Sequence, residues 1–232
     1  MNESARQEKI KRRKRKKLIK LTIVGVIAFL ALLVVIGLII LAFNVLNDKT
    51  GKYSTDTLVI HDNGKITLYE VAPFNEEMYS KSELKKSIKA SIKDFNTENA
   101  TNIELEAIKV EDSKTYVTTS FRSAADYRAY SGYETYLGTV EYMKQKLDFL
   151  DSISVVVDGQ KGENASRDDV LSSENAGYVV LAIKENIAVV TPDDICFVST
   201  RNTKVANNKA VVIYPENGNA DAAAMVYIIY RR

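Results

Sequence analysis

The sequence predicts an α+β fold: an N-terminal single transmembrane helix, then an extracytoplasmic domain of antiparallel hairpins packed on one main helix, with a mostly β C-terminal part. Three observations carry this reading. The 23 residues from Leu21 to Phe43 contain no charged side chain. Apolar runs flank turn residues such as Asn63-Gly64, the strongest short hairpin signal. After Ser80, apolar residues recur at helical spacing.

As a helix, the uncharged stretch reaches about 35 Å at 1.5 Å per residue, against a hydrocarbon layer of about 30 Å. It is longer than a signal-peptide core and ends Leu41-Ala42-Phe43-Asn44, without the small residues of a cleavage site. An uncleaved signal anchor is expected. Lys11, Arg12, Arg13, Lys14, Arg15, Lys16 and Lys17 precede it without interruption. The positive-inside rule then places the N-terminus in the cytoplasm and the body outside, at the plasma membrane. The same cluster touches anionic headgroups of the lipid bilayer. No nucleic acid is expected as a partner, because no aromatic residue interleaves these charges to stack on bases. Gly25 and Gly37 are too far apart to form a GxxxG helix-pairing motif.

Charge divides along the same line. The chain has 32 Lys+Arg against 30 Asp+Glu. Its first 43 residues hold ten basic and two acidic side chains, a net of +8, which leaves 22 basic and 28 acidic, a net of −6, for the rest. The expected organisation is a basic tail (1–20), membrane helix (21–43), short tether (44–56), α+β domain (57–157), polar loop (158–177) and β-rich part (178–232).

Within the body, Thr57–Ile60 and Ile66–Val71 form a hairpin if Asn63-Gly64 are its two turn residues. His61 then faces Ile66, Val59 faces Leu68, and Leu58 faces Tyr69. Ser80 and Glu83 make a capping-box pattern ahead of Leu84, Ile88, Ile92 and Phe95, which share one helical face. Asn96–Asn99 end that helix. Ile103–Val110 and Lys114–Phe121 read as a second antiparallel pair. Ser123–Tyr130 reads as a short helix stopped by Gly132. Gly138–Leu150 reads as a helix, with a strand at Tyr136–Val140 competing. Tyr178–Ile183, Ile187–Val190, Ile195–Ser199, Lys209–Tyr214 and Met225–Tyr230 read as strands, with Asn202–Asn208 among the turns between them.

Chemistry is sparse. One cysteine and one histidine exclude a disulfide framework, a Cys-rich zinc site and two-His metal motifs. Cys196 sits in an apolar strand, the setting of an inert thiol. His61 has no orienting carboxylate on its strand face, since Asp62 points the other way. Carboxylate pairs occur at Glu104/Glu106, Asp168/Asp169 and Asp193/Asp194, in strand-face or turn contexts. No phosphate-loop, dinucleotide, nucleophile-elbow or HExxH motif is present. The sequence thus names no catalytic residue, no metal ligand and no cofactor. Two binding features remain. Lys81, Lys85, Lys89 and Lys93 form an i, i+4 ladder on an otherwise acidic body; such a ridge suits an anionic polymer or a membrane surface. Tyr127, Tyr130, Tyr133 and Tyr136 form the centre of a tyrosine-dense stretch, the residue type of glycan- and peptide-binding platforms.

Asp56–Thr67, Val71-Ala72-Pro73-Phe74 and Glu83-Leu84-Lys85-Lys86 resemble uncharacterised extracytoplasmic lipoproteins of clostridia-like Gram-positive bacteria. So do Tyr116-Val117-Thr118, Ser123–Tyr127, Leu137–Val140 and Cys196–Ser199. This chain departs from them at its N-terminus, where a signal anchor replaces the lipid-accepting cysteine. The resemblance implies a cell-surface location and carries over no activity or functional residue. The expected function is a membrane-anchored binding or scaffold domain of the cell envelope, recognising a protein or an anionic wall polymer. The alternative is an envelope hydrolase whose carboxylates converge only in the fold.

Overall fold

The computed structural model describes residues 53–75, 79–144, 152–216 and 222–232. The basic tail, the expected membrane helix and the tether as far as residue 52 lie outside these. No helix among the described residues is long and apolar enough to cross a membrane.

The body is α+β and mostly strand. It starts with β1 (Thr57–Ile60) and β2 (Ile66–Pro73), then α1 (Lys81–Asn99), β3 (Glu104–Glu111), β4 (Lys114–Phe121) and α2 (Ala124–Ser131). Next come β5 (Thr135–Thr139), α3 (Val140–Met143), β6 (Ile153–Val157), β7 (Gln160–Ala165), α4 (Arg167–Val170) and β8 (Val179–Ile183). The chain closes with β9 (Ala188–Val190), β10 (Ile195–Ser199), β11 (Thr203–Asn207), β12 (Ala210–Ile213) and β13 (Val226–Tyr230).

Two sheets result. The first has seven strands in the order β11-β12-β9-β1-β2-β4-β3, and the second has six in the order β5-β8-β13-β10-β6-β7. The first draws on both halves of the chain, whereas the second is built only from strands after residue 134. β1 pairs in parallel with β9, Thr57 opposite Ala188, so the first strand is stitched to the last third of the sequence.

Strand alternation explains the layering, because successive side chains point to opposite faces. In β8, Leu181 and Ile183 join the main core with Leu58, Ile66, Phe121 and Ile213 of the first sheet. Their neighbours Val180 and Ala182 face the other way and pack with Val140, Met143 and Val170 of α3 and α4. The main core therefore lies between the sheets, and the short helices cover the back of the second one. α1 lays Ile92 into the main core, with Ile88 and Phe95 beside it, the face its spacing predicts. Asn96 ties its last turn to the following strand: its amide donates to the Ile103 carbonyl at 2.9 Å and accepts from the Ile103 N–H at 2.9 Å.

The caps are those the sequence announces. Ser80 accepts from the Glu83 N–H at 3.2 Å, and Ser123 accepts from the Asp126 N–H at 3.1 Å. Each satisfies a helix N–H that would otherwise lack a partner. Gly132, at φ 79°, ends α2 in the left-handed conformation that glycine adopts without steric cost.

Four expectations need correction. The first hairpin is shifted by one residue: Ile60 faces Ile66, Leu58 faces Leu68 and Thr57 faces Tyr69. Its turn is longer than two residues. The Gly64 N–H donates to the His61 carbonyl, Gly64 has φ 79°, and the His61 N–H donates to the Lys65 carbonyl. That is a three-residue loop closed by a glycine bulge. The shift leaves His61 exposed, Nε2 2.9 Å from Thr67 Oγ1, and off the apolar face. Second, the competing strand prevails at the start of the expected Gly138–Leu150 helix: β5 runs to Thr139 and the helical turn begins at Val140, while 145–150 lie outside the described residues. A side chain at Gly138 would meet Tyr142 at 3.0 Å, so that strand-to-helix junction is closely packed. Third, residues 158–177 are largely regular. The Asp158-Gly159 turn has φ 49° and 71° and connects β6 to β7, and Ser166 and Asp169 form a reciprocal capping box on α4. Polar composition suggested a loop, whereas β7 is the terminal, exposed strand of its sheet and can be polar. Fourth, most of the Asn202–Asn208 turn is the strand β11.

Gly159 also gives a stability test. A Cβ there would lie 2.8 Å from Asn208 Oδ1 and 3.0 Å from the Asn208 backbone nitrogen. Gly159→Ala is therefore expected to lower unfolding free energy by about 1–3 kcal/mol, seen as an earlier urea midpoint at unchanged slope.

Candidate functional site

Three carboxylates are brought together by strand parity. Leu58 and Ile60 point inward from β1, so Asp56, two residues before Leu58, lies on the same side. Ile66 and Leu68 point inward from β2, and Glu70 continues that row. Leu181 and Ile183 point inward from β8, and Glu185 follows them in the loop to β9. Continuing the register that sets Thr57 opposite Tyr69 places Asp56 opposite Glu70. The inner apolar rows thus end in acids at one end of the core.

The recess is only partly dry, since all three residues keep intermediate exposure. Burial pushes Asp56 up to about 6, although its Oδ1 accepts from the Val71 N–H at 2.7 Å. Burial, with the Asp56 charge adding to it, pushes Glu70 up to about 7. Glu185 is pushed up to about 8, again mainly by burial, with Asp56 and Glu70 adding to it. Among the described residues no lysine or arginine ion-pairs with any of the three. Nor does any group of three His, Cys, Asp or Glu side chains there have the arrangement to hold a metal ion.

α2 and the residues just after it supply the phenols. Tyr127 is fully buried, and its hydroxyl donates to Glu185 Oε2 at 2.5 Å. Its ring meets Phe121 edge-on at 5.1 Å. Burial first, and then the Glu185 charge, push the Tyr127 hydroxyl well up. Tyr130 packs against Phe95 at 5.3 Å and Phe121 at 5.6 Å; burial and the Glu70 charge raise it. Tyr133 stands at the rim, 43% exposed, raised by burial, Glu185 and Asp56.

The opposite side of α2 borders a cleft of about 800 Å³. Asn63-Gly64 of the hairpin turn, Arg122, the first residues of α2, Arg128, strand β5 from Thr135 to Leu137, and Tyr142 line it. Arg128 is held in place twice, by donating Nη1 to the Thr135 carbonyl at 3.5 Å and by lying 4.7 Å over the Tyr136 ring. Arg122 reaches Asp126 at 3.6 Å and is otherwise exposed. Two guanidinium groups, a helix N-terminus and two tyrosine rings in one cleft suit an anion attached to a flat or polyol surface.

The four tyrosines singled out by the sequence divide between these places. Tyr127, Tyr130 and Tyr133 belong with the acids, and Tyr127 is too deeply buried to be part of a surface platform. Tyr136 belongs with the cleft. The lysine ladder lies exposed along α1, and among the described residues no ion pair engages it. Lys89 and Lys93 border a shallow groove of about 640 Å³ between α1 and β3. The acid pairs serve locally: Asp169 caps α4, Asp193 lies 3.9 Å from Lys209, and Glu106 occupies a bulge in β3. Sequence reasoning missed Asp56, Glu70, Glu185, Arg122 and Arg128. The signal for the acids was present, an acid two residues beyond each inward apolar pair, but it becomes informative only once the strands are known to share a core. Set against protein-family models, curated proteins and solved structures, the chain matches none, so its chemistry rests on these residues.

Proposed function

We propose that the chain is a single-pass, membrane-anchored binding domain of the cell envelope that holds an anionic wall polymer in the cleft beside α2. The observation that supports this most is the pairing of Arg122 and Arg128 with Tyr136 and Tyr142 around one open volume of about 800 Å³. Guanidinium groups take phosphate or carboxylate oxygens, often two at a time, while phenol rings cover sugar or polyol faces. The exposed lysines of α1 add a second basic surface, and the uncharged Leu21–Phe43 segment supplies the anchor. Poly(glycerol phosphate) is expected to bind the full chain, and Arg122→Ala or Arg128→Ala to weaken binding about tenfold or more, since a charge-assisted hydrogen bond contributes about 1.5–3 kcal/mol. Calorimetric titration at low and high salt measures this; equal affinity in wild type and both variants, or preference for an acidic peptide over the polymer, removes the proposal.

The second reading is an envelope hydrolase. Asp56, Glu70 and Glu185 favour it, because carboxyl groups raised toward neutrality can donate and accept protons at working pH. Glu185→Gln would then abolish release of reducing ends or phosphate from wall polymer, whereas a binding domain releases none in either form.

A further inference from the structure

We propose that α2 is a proton-governed latch: neutral Asp56, Glu70 and Glu185 keep Tyr127 seated and the arginine cleft formed, and their ionisation loosens α2 and weakens the cleft. The inference rests on the reading of that cleft as a binding site and adds how the site is regulated. α2 is eight residues long, so its two sides cannot move independently. Tyr127, buried at its middle, carries its hydrogen bond to the loop after β8. The next residue, Arg128, is the one stacked on Tyr136 in the cleft, and Ser123–Ala125 of the same helix line the cleft wall. A displacement of Tyr127 therefore displaces both.

The charges around Tyr127 are of one sign. Glu185 meets its hydroxyl, and Glu70 and the Tyr133 phenol act on it; Asp56 acts on Glu185 and Glu70, and the Tyr130 phenol feels Glu70. The cations next to these groups in the chain are engaged elsewhere: Lys184 lies 3.5 Å from Glu134, Arg128 is held by the Thr135 carbonyl and the Tyr136 ring, and Arg122, just before α2, lies 3.6 Å from Asp126. The Tyr127 bond by itself favours ionised Glu185, but two further carboxylates share the recess. Each ionisation places another negative charge among the first ones without a counter-ion, and admitting water by parting α2 from the β8–β9 loop relieves it.

The test uses the full chain in zwitterionic nanodiscs with poly(glycerol phosphate), whose phosphodiesters do not titrate between pH 5.5 and 8.5. Two readouts are taken: affinity, and amide exchange of residues 124–131 corrected for intrinsic pH dependence. The background is His61→Gln, because His61 is the chain's one histidine and is two residues from cleft-lining Asn63. About tenfold tighter binding and slower α2 exchange are expected at pH 5.5 than at 8.5. Glu185→Gln, and separately Asp56→Asn/Glu70→Gln, should shrink both differences. Equal affinity and equal exchange at the two pH values overturn the latch, as does a pH effect that the acid variants leave intact. If the polymer binds at neither pH, the cleft reading falls, and exchange of α2 alone decides the latch.

Discussion

Urea unfolding of the full chain is expected to show stability falling as pH rises from about 4 to 8.5, the reverse of the usual acid lability. In an unfolded chain the three carboxyls titrate near 4; in the fold Asp56, Glu70 and Glu185 are pushed up to about 6, 7 and 8. Between those limits the folded state holds protons that the unfolded state has released. Stability is thus fully present below the unfolded value and is lost as pH passes through the folded ones. At about 1.4 kcal/mol per pKa unit, and reduced for the partial solvent access of all three residues, the loss is on the order of several kcal/mol. The triple change Asp56→Asn, Glu70→Gln, Glu185→Gln should flatten the profile. A wild-type profile that is flat or rises over this range would show that the acids are hydrated and independent.

Phe121→Ala is expected to be the most damaging single core substitution near the site, at about 3–5 kcal/mol. Phe121 is 1% exposed, faces Ile66 across the β2–β4 pair, and meets both Tyr127 and Tyr130. Its removal leaves a cavity beneath α2 that a short helix cannot collapse into while Tyr127 stays bonded to Glu185. Phe121→Leu, which retains most of the volume, should cost less than half as much. A loss no larger than 1 kcal/mol for the alanine variant, measured by denaturant midpoint, would mean that α2 is not seated on this ring.

Local chemistry was legible in the sequence because its causes are local. Ser80 and Ser123 had hydroxyls to offer helix N–H groups. Gly132 could take the left-handed conformation, and Ile88, Ile92 and Phe95 recurred with the helical period. Most strands follow from the same kind of reasoning, since alternation needs no knowledge of a partner. The first register slipped because two hairpin loops of different length fit the same residues around Asn63-Gly64. Only the turn's hydrogen bonds and the burial of Leu58, Ile60, Ile66 and Leu68 select between them. Asp158–Gly177 was misread because polarity reports exposure, and an exposed edge strand is as polar as a loop.

By itself the sequence determined the division into a basic, an uncharged and a mildly acidic segment, the α+β character of the body and the caps of its helices. The tertiary structure decided the site. Asp56, Glu70 and Glu185 are separated by 14 and 115 positions, and only the parallel pairing of β1 with β9 and the stacking of two sheets put them at one end of one core. Their proton affinity comes from that placement, because a carboxylate is raised by the water it loses and the charges it meets, and both are properties of the assembled fold.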